Sequence, residues 1–236
     1  MPLATTDTLI VSDLHLGIPA SRPGALLEVL EGWRFARLIL LGDIFHDFAF
    51  ANFGTDCWRL LRHVRGLAQD GAAEVVWIKG NHDRDLAELV LRLVGVRMRE
   101  SYRWDCGGLS HLALHGDRFD RFITNHRRLC RRMSALYGFC QRRLSREGHW
   151  PAALDRWHGR MFGIGDEVAG RAARFAARRA ADVVVCGHTH EPGHWRFEGP
   201  DGSARPVDYY NSGSWVARPA SFLAVDPGRV RIERCP

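Results

Sequence analysis

The chain has 236 residues, 46% of them hydrophobic, which suffices for one large core or two small ones. No stretch approaches the roughly 18 consecutive apolar residues of a membrane span, and the N-terminus lacks the basic and apolar segments of a secretory signal. The net charge of +6 is almost all arginine, Lys79 being the only lysine, and the six cysteines are scattered without metal-ligand spacing; a cytoplasmic protein with reduced thiols is the expectation.

Short apolar runs that stop at Gly, Asn or Asp read as buried strands ending in turns. The first, Leu9-Ile10-Val11, leads into Asp13-Leu14-His15. Residues 24–32 then show helical spacing, with Ala25, Leu26, Leu27, Val29 and Leu30 apolar. Leu38 to Leu41 run into Gly42-Asp43, and helical spacing returns from Cys57 to Ala68. Val75 to Ile78 precede Gly80-Asn81-His82-Asp83, and Leu86 to Val94 read as a third helix. His111 to Leu114 lead into His115-Gly116-Asp117. Strands alternating with helices of this length predict parallel βαβ units with right-handed crossovers.

From about residue 118 to 181 the strand signal disappears. Phe122, Leu129, Met133, Leu136, Cys140 and Leu144 recur at three or four residues, with Arg128, Arg131, Arg132, Arg142 and Arg143 largely off that stripe. After a break at 148–151, Val168 to Ala181 is again helical and rich in Ala and Arg. Fifteen arginines against five acidic residues lie between Arg118 and Arg179. The stretch is expected to be a helical insertion in a single domain covering 1–236. Val183 to Cys186 form a further strand, ending at Gly187-His188-Thr189-His190. Two hairpins should close the chain: His194 to Glu198 with Val207 to Tyr210, and Ser221 to Val225 with Val230 to Ile232.

Ligands of sheets with helical crossovers gather outside the carboxyl ends of the strands, so the five polar blocks should converge. Their side chains offer seven candidate metal ligands: Asp13, His15, Asp43, Asn81, His115, His188 and His190. Seven mixed oxygen and imidazole donors, with a carboxylate able to bridge, suit two ions about 3.5–4 Å apart. The blocks hold no thiolate, which disfavours a structural zinc cage, and imidazole favours a borderline transition metal over calcium or magnesium. Two divalent ions are the expected cofactors, manganese first, with iron or zinc as alternatives. His82 is placed to hydrogen-bond a phosphate or to protonate a leaving oxygen. Asp83 and Asp117 are expected to orient the ligands from behind. His46 and Asp47 stay open between a partnership with His82 and a loop role.

The ordered set Asp-x-His, Gly-Asp, Gly-Asn-His-Asp, His-Gly-Asp and Gly-His-Thr-His resembles the calcineurin-like metallophosphoesterase superfamily over about residues 9–217. That resemblance implies an α/β fold, a two-sheet β-sandwich flanked by helices. It implies one ion held by Asp13, His15, Asp43 and His190, a second completed by Asn81, His115 and His188 with Asp43 bridging, and His82 as the catalytic histidine. Within the superfamily the chain is similar to the UDP-2,3-diacylglucosamine hydrolase branch. It departs from that branch at His82, where the branch usually has Arg, and at His46, where an acidic residue is common.

The expected activity is metal-dependent hydrolysis of a phosphate ester or pyrophosphate bond, with a phosphate-containing small molecule or a lipid-linked substrate such as a UDP-acyl sugar. A phosphomonoesterase acting on phosphoprotein or a small metabolite is an alternative. A basic nucleic-acid-binding protein or nuclease is another. The insertion reads as a solvated helix face, as a cap that binds an anionic substrate through Arg128, Arg131 and Arg132, or as a patch for an acidic membrane surface or nucleic acid.

Overall fold

The structure, a computed structural model, describes residues 3–121, 124, 164–198 and 205–236. Arg128, Arg131 and Arg132, and the helical stripe from Phe122 to Leu144, lie outside the described residues.

The strand runs are apolar at every position because both faces of their sheets are covered. The first sheet contains β1 (Ala4–Val11), β2 (Trp33–Leu41), β3 (Glu74–Ile78), β4 (Met98–Arg99), β10 (Ala220–Asp226) and β11 (Arg229–Cys235), in the order β11-β10-β1-β2-β3-β4. Strands β1 to β4 are mutually parallel, and β10 and β11 add an antiparallel pair at one edge. The second sheet contains β5 (Tyr102–Cys106), β6 (Leu109–Ala113), β7 (Val183–Cys186), β8 (Gly193–Phe197) and β9 (Val207–Asn211), in the order β5-β6-β7-β9-β8. Here β6, β7 and β9 are parallel, and antiparallel partners lie outside them.

Side chains alternate faces along a strand, so each run feeds two cores. Ile10, Ile39, Leu41, Val76 and Ile78 pack across the sandwich against Trp104, Ala113, Val183 and Val185 of the second sheet. Leu9, Val11, Leu38, Leu40 and Trp77 face the other way, onto α1 (Pro23–Gly32), α2 (Thr55–Gln69) and α3 (Ala87–Val94) through Leu26, Leu30, Leu60, Leu61, Val64, Val90 and Val94. On the far side, α4 (Ile164–Ala177) lays Val168, Ala169, Ala172, Ala173 and Ala176 on Leu112, Leu114, Val184 and Tyr209. Small alanines let this helix lie close to the sheet. The result is four layers, helix, sheet, sheet, helix. Among the described residues no helix is long and apolar enough to cross a membrane.

Both C-terminal hairpins form as expected, and so do the three N-terminal helices, within a residue or two of the expected ends. The last helix differs from its expectation at both ends. It spans 164–177 rather than 168–181, and stops because Ala180 turns left-handed (φ 51°) so that the Ala181 N–H returns to the Ala176 carbonyl at 3.1 Å. Strands β4 and β5 were not expected. The β5–β6 hairpin had a visible signal in its two-residue Gly107-Gly108 turn.

Candidate metal centre

Each polar block follows a strand end, and the two sheets contribute together. Asp13, Asp43 and Asn81 follow β1, β2 and β3, whereas His115 and His188 follow β6 and β7. The pairing of β1 with β2 continues past the strands: Asp13 N–H donates to the Gly42 carbonyl at 3.1 Å, and His15 N–H to the Asp43 carbonyl at 3.0 Å. Bonds between the sheets fix the rest. His188 N–H donates to Asp13 Oδ2 at 2.9 Å, and His115 Nδ1 lies 2.9 Å from the Leu41 carbonyl. Trp215, fully buried, donates its N–H to the Asp13 carbonyl at 3.1 Å.

Among the described residues three groups of side chains could each hold a metal ion: His15 with His46 and His82, and two made entirely of expected ligands. The first of these two is Asp13, His15 and His190, with His190 Nε2 3.2 Å from Asp13 Oδ1 and also 3.2 Å from His15 Nε2. The second is Asp43, His115 and His188, with His115 Nε2 3.3 Å from Asp43 Oδ2. Asn81 is carried beside the second group by the loop whose His82 N–H donates to Asp43 Oδ1 at 2.8 Å. The structure thus brings six of the seven expected ligands into these two groups, with Asn81 next to His82 in the adjoining loop. Asp13 Oδ1, Asn81 Oδ1 and His115 Nε2 are buried without a hydrogen bond, although the first and last lie near oppositely polar groups. Buried carboxylate, amide and imidazole atoms left without a hydrogen bond beside other oxygen and nitrogen ligands suit a cation; this chemistry fits a metal.

The electrostatics agree. Burial alone would push the Asp13 and Asp43 carboxyls up, but His190 beside Asp13 and His115 beside Asp43 hold both below the usual carboxylate range. The opposite balance holds at His115 and His190, where burial is outweighed by those carboxylates and the rings are driven above the ordinary histidine value. His15 is pushed well below it by burial and by the nearby His82. The charge of Asp43 is felt by His15 and His190 of the first group as well as by His115 of its own.

The geometry has a backbone cost. Asp13, His15, Asp43, His188 and His190 all have φ between 50° and 71°, and among the described non-glycine residues only Ala180 joins them. Left-handed backbone at such residues gathers at functional sites, where surrounding structure enforces it. Two glycines allow the close packing. A Cβ at Gly80 would collide with the Asp43 carboxylate, and one at Gly187 with the Asp13 carboxylate and the Ser12 hydroxyl.

Asp83 sits fully buried behind the second group, accepting the Gly80 N–H at 2.8 Å and the Ile44 N–H at 2.9 Å. Burial, then the charge of Asp43, raises its carboxyl to about 6. Asp83→Asn places an amide NH2 against one of those N–H groups, and should cost about 1–3 kcal/mol of stability in urea denaturation. An unchanged midpoint would show that the turn does not depend on these bonds. Asp117 instead receives Arg84 Nη2 at 2.7 Å.

Two neighbours went unresolved or unnoticed in the sequence. Buried His46 places Nδ1 3.3 Å from His15 Nδ1, and its carbonyl lies 2.8 Å from His82 Nδ1. Buried Asp120 lies 3.1 Å from His188 Nε2. Asp120 carried no block signature, only proximity to Asp117. Of the two tryptophans near the last strands, Trp215 is core and Trp195 is partly buried against Tyr209.

The profile of the calcineurin-like phosphoesterase family matches residues 7–192, and the chain belongs to that family. The comparison with curated proteins found no match. Among solved structures, the chain is similar to a novel archaeal phosphodiesterase at 16% identity and a TM-score of 0.48, covering 96% of this chain and 98% of that one. It is also similar to wild-type Vps29 complexed with zinc from Entamoeba histolytica, at 16% identity and a TM-score of 0.46, covering 96% and 97%.

Proposed function

We propose that this protein is a dinuclear metal-dependent phosphoesterase that hydrolyses a phosphate ester or pyrophosphate bond. One observation carries the reading: two Asp/His groups, drawn from the strand ends of two sheets, meet with the buried Asp13 Oδ1 and His115 Nε2 left without a hydrogen bond. Asp13, His15, His190 and Asp43 would hold one ion, and Asp43, Asn81, His115 and His188 the other; the charge of Asp43 reaches both groups, as does that of Asp13. Such ions supply an activated water at neutral pH and charge stabilisation for an in-line displacement.

The chain's own residues do the rest. Asp43 is locked by the His82 N–H, so its second oxygen stays turned toward His115. His82 spends its Nδ1 proton on the His46 carbonyl, which leaves Nε2 facing the centre, 4.0 Å from Asp43 Oδ2. From there it can hydrogen-bond a phosphoryl oxygen or protonate a leaving oxygen. His115 is held by the Leu41 carbonyl with its Nε2 turned to Asp43, and His188 is held by Asp120.

The substrate favoured is one with an anionic group beyond the scissile phosphate, such as the pyrophosphate of a UDP-acyl sugar. Its support is a cleft beside His115 and Gly116 lined by Lys79, Arg84 and Arg118, of which the first two pair with Glu100 and Asp117 of the same cleft. Metal content, with rates on aryl monoesters, aryl diesters and nucleotide-linked pyrophosphates, tests both levels. The expected result is about two ions per chain and the fastest turnover on the pyrophosphate. Turnover confined to monoesters would overturn the substrate reading, and a protein that takes up no metal, or stays inactive with two ions bound, the reaction itself.

A further inference from the structure

We infer that His46 is the residue that fixes the tautomer of His15 for metal binding, a positioning role in the first group only. The inference rests on the dinuclear reading above.

The main chain sets the pair side by side. His46 N–H donates to the Leu16 carbonyl at 3.1 Å, Leu16 N–H donates to the Ile44 carbonyl at 2.8 Å, and Leu16 pairs with Phe45 in a parallel bridge. His46 is therefore held beside His15 by the same run-on of β1 and β2 that shapes Asp13 and Asp43. The two rings meet edge to face with centroids 5.4 Å apart, Nδ1 to Nδ1 at 3.3 Å.

Only one arrangement of protons lets His15 bind an ion. Its Nε2 points to the first group, toward Asp13 Oδ1 at 3.9 Å and His190 Nε2 at 3.2 Å. A neutral imidazole has one N–H and one lone pair. For Nε2 to present the lone pair, Nδ1 must carry the hydrogen and donate it, and His46 Nδ1 is the acceptor it meets. Were His46 the donor, the His15 proton would move to Nε2 and close that ligand position. The histidines of the second group use other acceptors, the Leu41 carbonyl for His115 and the Asp120 carboxylate for His188. Outer acceptors of this kind typically contribute 10- to 100-fold in metal affinity.

His46 also holds His82, but through its carbonyl. That bond survives any side-chain substitution, so the two duties separate by mutation. Three variants decide the matter: His46→Ala, His46→Leu and His46→Asn. Asparagine keeps an acceptor oxygen on Cγ, where Nδ1 stands in histidine; leucine keeps the bulk without an acceptor.

The test is calorimetric titration of each metal-free protein with Co2+, alongside its visible absorption spectrum and melting temperature. In His46→Ala and His46→Leu one of the two Co2+ ions should bind about 10- to 100-fold more weakly, with the other unchanged. His46→Asn should stay near wild type. Equal binding in all variants would overturn the assignment, and so would joint weakening of both ions or an Asn variant no better than Leu. If His46→Ala does not fold, the Asn and Leu pair settles the question. Should the wild type itself fail to take two ions, the dinuclear reading falls with it; two ions in the wild type and no effect at residue 46 removes this inference alone.

Discussion

Asp43→Ala should abolish hydrolysis of an activated aryl phosphate and strip the protein of bound metal. Asp43 is 2% exposed, and its neighbours define what is lost. Oδ1 anchors the His82 N–H, Oδ2 faces His115, and its charge acts on His15 and His190 as well. Alanine removes a ligand proposed to serve both ions and leaves His115 without the carboxylate that balances it. Loss of the several kcal/mol that a metal pair supplies corresponds to at least about 10³-fold in kcat. Folding should persist, because Asp43 holds its neighbours through the main chain too, by the His15 N–H to its carbonyl. A folded Asp43→Ala protein that retains activity would sink the proposed reaction.

The second large effect is expected at His82. His82→Asn should lower kcat by about 10²–10⁴-fold, the range of a positioned general acid, while metal content stays at the wild-type level. The side chain is part exposed, with Nε2 4.0 Å from Asp43 Oδ2 and its ring edge-on to His15 at 4.8 Å between centroids, and it belongs to neither proposed ligand group. The comparison of leaving groups separates its two possible duties. If His82 protonates the leaving oxygen, a nitrophenyl ester, which needs no proton, is spared and an alkyl ester is not. If it stabilises the phosphoryl oxygens, both esters lose alike. Unchanged kcat on both would remove His82 from the chemistry.

Much of this was legible in the sequence because the strands end where the chemistry begins. Leu9 to Val11, Leu38 to Leu41, Val75 to Ile78 and Val183 to Cys186 are apolar at every residue, a pattern that only a doubly covered sheet requires, and the abrupt change to Gly, Asp, Asn and His marks the edge. That β1 to β3 lie in one sheet and β6, β7 and β9 in another was not readable from spacing, since apolar runs carry no sheet membership; family resemblance implied two sheets without assigning strands to them. The short β4 and the polar β5 escaped because Met98-Arg99 is two residues and Tyr102 to Cys106 alternates too briefly. His46 stayed ambiguous and Asp120 unnoticed for a different reason. Their roles depend on contacts with His15, His82 and His188 made through the register of adjacent loops, and neither residue type nor spacing encodes that register.

The left-handed backbone at Asp13, His15, Asp43, His188 and His190 has a meaning for how such a chain ages under drift. Each position holds a conformation that costs on the order of 1–3 kcal/mol for a residue with a side chain, against a total stability of about 5–15 kcal/mol. Selection for turnover keeps the strained residues in place; selection for persistence alone would exchange them for glycine. A lineage that kept this fold as a scaffold and gave up its chemistry would therefore be expected to gain stability at these five positions first, recording the loss of activity in its glycines.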